Sequence, residues 1–324
     1  MARIALILTL LASPAAADVA QAVDVITPAY AALADSTADL ARAAAADCAP
    51  EGLRPAFQAA WDDWARIDFL RLGPVETDGR ALAMAFWPDP KGSGLRAQQA
   101  ALAEGAAVAS DPDRFARASV AMRGFAGLER LLYPSPLQGA EAELCLLTRA
   151  TAADLARMGA DIAAEWPAHA ELLTHPGEGN AAYLTPTEAR QALYTQLVTG
   201  LSALEKNRLG RPLGTFDKPR PDRAEAVAAG RSLRNVVQSL SGMRDLALAL
   251  ALHSPAPQTQ AAFDRALGLA ARLDDPVLAG VADPQRRLKV EILQQAVNSA
   301  KVAVETEIGP ALGVSAGFNA QDGD

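Results

Sequence analysis

Aromatic residues make up only 5% of the 324-residue sequence, and it contains two cysteines and three histidines. Two cysteines are too few for a disulfide-dense scaffold, and a structural zinc site asks for about four close ligands. The Cys-x-x-Cys-His signature of covalent haem attachment is absent, and so is His-Glu-x-x-His. Basic residues number 30 against 38 acidic ones, a net charge of −8. A chain of that balance has no overall field to draw it to nucleic acid or anionic lipid. Past the N-terminus no run approaches the roughly 18 uncharged apolar residues that a membrane span needs. Alternating apolar and polar runs bounded by turn residues are also missing, and with them the case for a sheet.

What the sequence has in quantity is apolar and helix-forming: half of it is hydrophobic and nearly a quarter is alanine. Proline and glycine divide it into helical segments near 18–47, 50–72, 94–109, 112–133, 139–173, 186–208, 222–253, 257–273 and 283–308. Pro167 is expected to interrupt the fifth of these. The fold class is all-α, and helices of this length pack as bundles.

At the N-terminus, Arg3 precedes the apolar run Ile4 to Leu11, and Ala15 and Ala17 form an A-x-A end. This is the pattern of a secretory signal peptide, residues 1–17, cleaved after Ala17, so the mature protein is expected in the periplasm or outside the cell. Export puts Cys48 and Cys145 in an oxidising compartment, where they have one intrachain pairing. Both flank helices, so a Cys48–Cys145 disulfide is sterically reasonable; two buried thiols are the alternative.

The two halves echo each other. Arg71-Leu72-Gly73-Pro74 ends a helix in the first and Arg208-Leu209-Gly210-Arg211-Pro212 ends one in the second. Gly127-Leu128-Glu129 can be laid over Gly242-Met243-Arg244. The expected organisation is two related helical bundles packed around a central cleft: residues 18–175, a linker at 176–184, residues 185–310, and a tail at 311–324.

Helical phase, at about 100° per residue, sets some charges on apolar faces. Asp68 and Arg71 continue the stripe of Phe57, Trp61 and Trp64. Glu129 falls in the arc of Met122, Phe125, Leu128 and Leu132, while Arg123 and Arg130 point the other way. Arg208 shares a face with Leu197, Leu201 and Leu204, and Arg244 shares one with Leu233, Val237 and Leu240. A buried charge costs several kcal/mol unless it is paired. These side chains therefore either pair between helices or line a polar cleft together with Trp61 and Trp87, which is where ligand sites tend to lie.

Catalytic signatures fail. Gly313-Val314-Ser315-Ala316-Gly317 has the letters of G-x-S-x-G without a strand before it or a histidine after it. Gly92-Ser93-Gly94 lacks the rest of a phosphate loop.

The segment Ser119-Val120-Ala121-Met122-Arg123-Gly124-Phe125-Ala126-Gly127-Leu128-Glu129-Arg130-Leu131-Leu132-Tyr133 resembles the imelysin-like family. So do Phe86-Trp87-Pro88-Asp89-Pro90, Arg208 to Gly214, and Gly317 to Asp324. The similarity runs in order from about Ala22 to the C-terminus. The resemblance implies an exported all-helical protein with two related bundles around a cleft, linked to iron regulation and uptake, in a family that also carries a peptidase label. The family's G-x-H-x-x-E reads Gly124-Phe125-Ala126-Gly127-Leu128-Glu129 here, so alanine stands where a metal-binding imidazole would be. Glu129 alone is a weak metal site, because first-row metals need several convergent ligands.

These readings give a non-enzymatic accessory of iron acquisition, with no catalytic residues, no metal ligands and no resident cofactor. The ligand-site candidates are Trp61, Asp68, Arg71, Trp87, Ser119, Glu129, Arg208 and Arg244. The expected partner is an iron chelate or another envelope protein. A metal-dependent peptidase and a structural adaptor without a small ligand are the alternatives.

Overall fold

A computed structural model describes residues 14–315, so residues 1–13 of the expected signal peptide and 316–324 of the tail lie outside the described residues. Thirteen α-helices and no strand are found among the described residues. In order they are α1 (Pro14–Ala46), α2 (Pro50–Ile67), α3 (Arg80–Met84), α4 (Ser93–Ala103), α5 (Pro112–Ala116), α6 (Gly124–Leu132), α7 (Glu141–Thr174), α8 (Pro186–Ala203), α9 (Gly210–Leu213), α10 (Ser232–Leu250), α11 (Pro257–Ala271), α12 (Pro284–Ala303) and α13 (Gly309–Leu312). The expected cleavage point after Ala17 falls in the first turn of α1. No helix among the described residues is long and apolar enough to cross a membrane.

The long helices α1 and α7 pack along each other, α2 lies against α1 and α10, and α11 packs on α12. One continuous core draws on both sequence halves, from Val19 and Trp64 to Leu293 and Ile308. A smaller cluster around Phe115, Met122 and Leu147 sits beneath α4 and α5. Cys48 and Cys145 form a disulfide that ties the α1–α2 connection to the start of α7. Because it closes 97 residues of sequence, it removes much of the freedom of the unfolded chain.

Several boundaries depart from expectation: α2 ends at Ile67, which leaves Arg71 beyond the helix, and α4 ends at Ala103, ahead of the left-handed Ala106. The 112–133 segment is broken into α5, a 3-10 turn at Val120–Met122, and α6. The break is at Gly124, whose φ is +66° and where a Cβ would come within 2.0 Å of the Ala83 carbonyl oxygen. That approach joins α6 to the end of α3, and only glycine tolerates it. The interruption expected at Pro167 does not occur, and α7 runs through it for 34 residues. The 222–253 segment becomes helical only at Ser232, leaving 224–231 as an irregular strap with Ala226 at φ +53°.

A local repeat emerges from the backbone. Ala106 and Leu278 are both left-handed, each is followed by a 3-10 turn, and each turn leads to an aspartate N-cap and a proline-initiated helix. Asp111 accepts from the amides of Asp113 and Arg114, and Asp283 from those of Gln285 and Arg286. The same capping device thus starts α5 and α12.

Candidate functional site

Asp68 follows the last residue of α2, at the negative end of the helix dipole, where a carboxylate is unfavourable without a counter-charge. The counter-charge is Arg208. It lies in a π turn, Leu204–Leu209, that widens the chain after α8. Its Nη2 donates to Asp68, its Nη1 to the Ser239 hydroxyl, and its Nε to Glu225 at 2.8 Å. Burial disfavours the charge on Arg208, but Asp68 and Glu225 outweigh it and hold its pKa above the ordinary guanidinium value.

The network continues. Glu225, in the 224–231 strap, also accepts from Asn235 Nδ2 at 2.8 Å. Asn235 Oδ1 accepts from the fully buried Arg231, whose other nitrogens donate to Gln58 Oε1 at 2.7 Å and Asp62 at 2.9 Å. Arg231 also lies over the Trp61 ring, 4.9 Å from its centroid. Burial pulls the Arg231 pKa down to about 10, against the pull of Asp62, so the group stays charged at neutral pH. Charges from α2, the π turn and the strap are therefore paired in one chain, linked by the neutral Asn235 and Ser239 of α10, as buried charges must be.

Two cavities meet beside this network and share Trp87 and Pro88 as a wall. The first, about 180 Å³, is lined by Trp64, Asp68, Arg71, Arg208 and Glu225 among others. Arg71 is exposed at its mouth, with its guanidinium over Trp64. The second cavity, about 420 Å³, is lined by Glu129, Arg130, Arg211, Arg220 and Arg223. Small-molecule sites commonly fall between about 300 and 1,000 Å³. Glu129 Oε1 accepts the Ala229 amide at 2.8 Å. Burial pushes the Glu129 pKa up, the negative Glu225 adds to it, and the Ala229 amide and Arg130 oppose it.

Of the eight side chains singled out from sequence, Asp68, Arg71, Arg208 and Trp87 line the first cavity, and Trp87 and Glu129 line the second. Three lie elsewhere. Trp61 is buried in the core, stacked on Phe125 with centroids 5.3 Å apart. Ser119 is an exposed residue ahead of the 3-10 turn, and it lines neither cavity. Arg244 pairs with Asp264 of α11 at 2.9 Å on the outer side of α10. The buried face of α10 is instead Asn235, Val236, Ser239, Leu240 and Met243, one step round from the expected stripe. Arg123 and Arg130, both expected to point outward, turn inward. Arg123 is buried and donates to Asp154 at 2.8 Å, because the helix break at Gly124 resets its direction. Arg130 is held by Gln98 and the Ala121 carbonyl against α4 and the 3-10 turn.

Glu225, Arg231, Arg130 and the three arginines of 211–223 were not apparent as candidates. The available signal was Arg211, Arg220 and Arg223 within one proline-rich connection, a place where function concentrates. The residues at the family motif do not fit a metal. Ala126 lines the second cavity beside Glu129, whose carboxylate is engaged by a backbone amide and flanked by Arg130. Among the described residues no group of three or more His, Cys, Asp or Glu side chains is placed to hold a metal ion.

The imelysin family model, labelled Peptidase M75, matches residues 26–304. Iron-regulated protein A of Synechococcus elongatus is 22% identical over 284 residues, covering 80% of this chain and 74% of that protein. An imelysin-like protein from Psychrobacter arcticum superposes with a TM-score of 0.77 at 20% identity, over 93% of this chain and 98% of that one. A putative iron-regulated protein A precursor from Parabacteroides distasonis gives 0.74 at 13% identity, over 92% and 97%. A family match spanning most of the sequence, joined to the shared all-helical fold, places this chain in the imelysin family.

Proposed function

We propose that this protein is an exported, non-catalytic binding component of iron acquisition at the cell envelope. In this reading an anionic iron chelate is held at the two cavities that meet at Trp87. The observation that carries it is the excess of arginine over carboxylate in the larger cavity, beside an alanine where the family motif has histidine. Guanidinium groups suit paired carboxylate oxygens, so a chelate presenting carboxylates would dock without a protein ligand to the iron. The relatives named iron-regulated protein A, one of them a precursor, support the iron context and the export. Cys48–Cys145 suits an oxidising compartment.

Calorimetric titration with ferric citrate tests this reading, with casein cleavage followed in parallel with and without a chelator. Saturable ferric citrate binding and no chelator-sensitive cleavage are expected. Chelator-sensitive turnover that disappears in Glu129→Ala would establish the peptidase instead. Absence of ferric citrate binding would leave a structural adaptor.

A further inference from the structure

The larger cavity carries a more specific assignment, which rests on the reading of that cavity as a ligand site. We infer that its arginines form a subsite for a small polycarboxylate, which they recognise through its carboxylates whether or not iron is bound. The subsite is lined by Arg130, Arg211, Arg220 and Arg223, with the Trp87 ring shared by the two cavities.

The convergence of the three loop arginines follows from the backbone. After α9 the chain turns at Gly214, whose φ is +56° and where a Cβ would meet the Lys218 carbonyl oxygen at 2.4 Å. It then returns, and the Arg220 amide donates to the Pro212 carbonyl at 2.9 Å. Pro212 and Arg220, eight apart in sequence, are thereby joined, which brings Arg211 and Arg220 to one cavity, and a 3-10 turn at Pro221–Arg223 adds the third guanidinium.

The protein leaves these charges incompletely answered. Arg211 lies over Trp87, 5.8 Å from the ring centroid, and its buried Nε has no hydrogen-bond partner. Neither Arg211 nor Arg223 has a carboxylate partner among the described residues, in a chain whose net charge is −8. The acids that line the same cavity are occupied. Asp89 accepts the Ser93 and Gly94 amides at the start of α4, at 2.8 and 2.7 Å, and the exposed Asp222 pairs with Arg220 at 3.4 Å. Glu129 takes the Ala229 amide. A buried charged donor without an acceptor is costly, and a ligand carboxylate would remove that cost.

Arg130 lines the same cavity from α6. It is fixed by Nε to Gln98 Oε1 at 2.6 Å and Nη2 to the Ala121 carbonyl at 2.8 Å. Several guanidinium groups lining a 420 Å³ space fit an anion with more than one carboxylate better than a single compact one. Citrate is the probe of that class, and inorganic phosphate is the compact control.

The experiment is calorimetric titration of the full chain with iron-free citrate, inorganic phosphate and ferric citrate. The proteins are the wild type and the Arg211→Gln/Arg223→Gln double variant, with folding of the variant verified by its unfolding temperature. The assignment predicts one-site citrate binding, phosphate at least tenfold weaker, and a loss of at least tenfold in citrate affinity in the variant. Equal citrate affinity in the two proteins overturns it, as does phosphate binding as tight as citrate. Ferric citrate binding without iron-free citrate binding overturns the subsite while leaving the proposed function standing. Absence of binding by either form of citrate sinks both.

Discussion

The two cavities around Trp87 differ in how their charges are answered. In the smaller one, Arg208 is enclosed by Asp68, Glu225 and Ser239, and the network runs on through Asn235 to Arg231 and Asp62. In the larger, Arg211 and Arg223 have no carboxylate partner among the described residues, and the hydrogen bond to Glu129 comes from a backbone amide. Both regions hold charges close to the core, yet the first is an inter-helix brace and the second leaves two guanidinium groups without a carboxylate among the described residues. Burial alone therefore does not distinguish a brace from a candidate site; the presence or absence of an internal partner does.

The largest expected effect breaks the brace. Arg208→Met strands two buried carboxylates, and urea unfolding should show a loss of about 3–5 kcal/mol. A loss below ~1 kcal/mol would mean that the smaller cavity is solvated and its pairs are weak.

Next comes a cross-link outside both cavities. Cys48→Ser with Cys145→Ser frees a 97-residue loop in the unfolded chain, and stability should fall by about 2–4 kcal/mol. Citrate affinity should be unchanged, which separates a purely structural element from the arginine cavity.

Glu129 sharpens the contrast through pH. Its folded pKa lies above its unfolded one, so its protonated form favours the fold. That contribution is fully present below the unfolded carboxyl value and is lost as pH rises through the raised folded value. Glu129→Gln should therefore raise the unfolding temperature at pH 8 and leave it unchanged near pH 4. A shift of equal size at both pH values would show that Glu129 is not desolvated.

The smallest effect falls on the open side. Arg223 is exposed, and Arg223→Gln should change stability by no more than about 0.5 kcal/mol in the same urea assay. A larger loss would mean that Arg223 braces the loop and is not available to a ligand.

The sequence made the all-helical class legible because alanine and leucine outnumber β-branched residues and proline marks most boundaries. The Asp68–Arg208 pair was legible in part, since both charges fall on apolar helical faces. Their pairing to each other, through elements 140 residues apart, was not. Arg244 misled because a one-step error in phase turns a helix face, and the outward position has its own partner in Asp264. Glu225 was hidden by extending α10 backwards over the 224–231 strap. The arginine cavity was hidden because loop contacts have no periodicity: the Gly214 turn and the Pro212–Arg220 hydrogen bond bring its members together.

The most direct measurement is the unfolding temperature as a function of iron-free citrate concentration, for the wild type and Arg211→Gln/Arg223→Gln. A ligand that binds only the folded state stabilises it by RT ln(1 + [L]/Kd). The wild type should show a rise that grows with the logarithm of citrate above Kd, and the double variant none over the same range. Parallel curves, or no rise in the wild type, would contradict it.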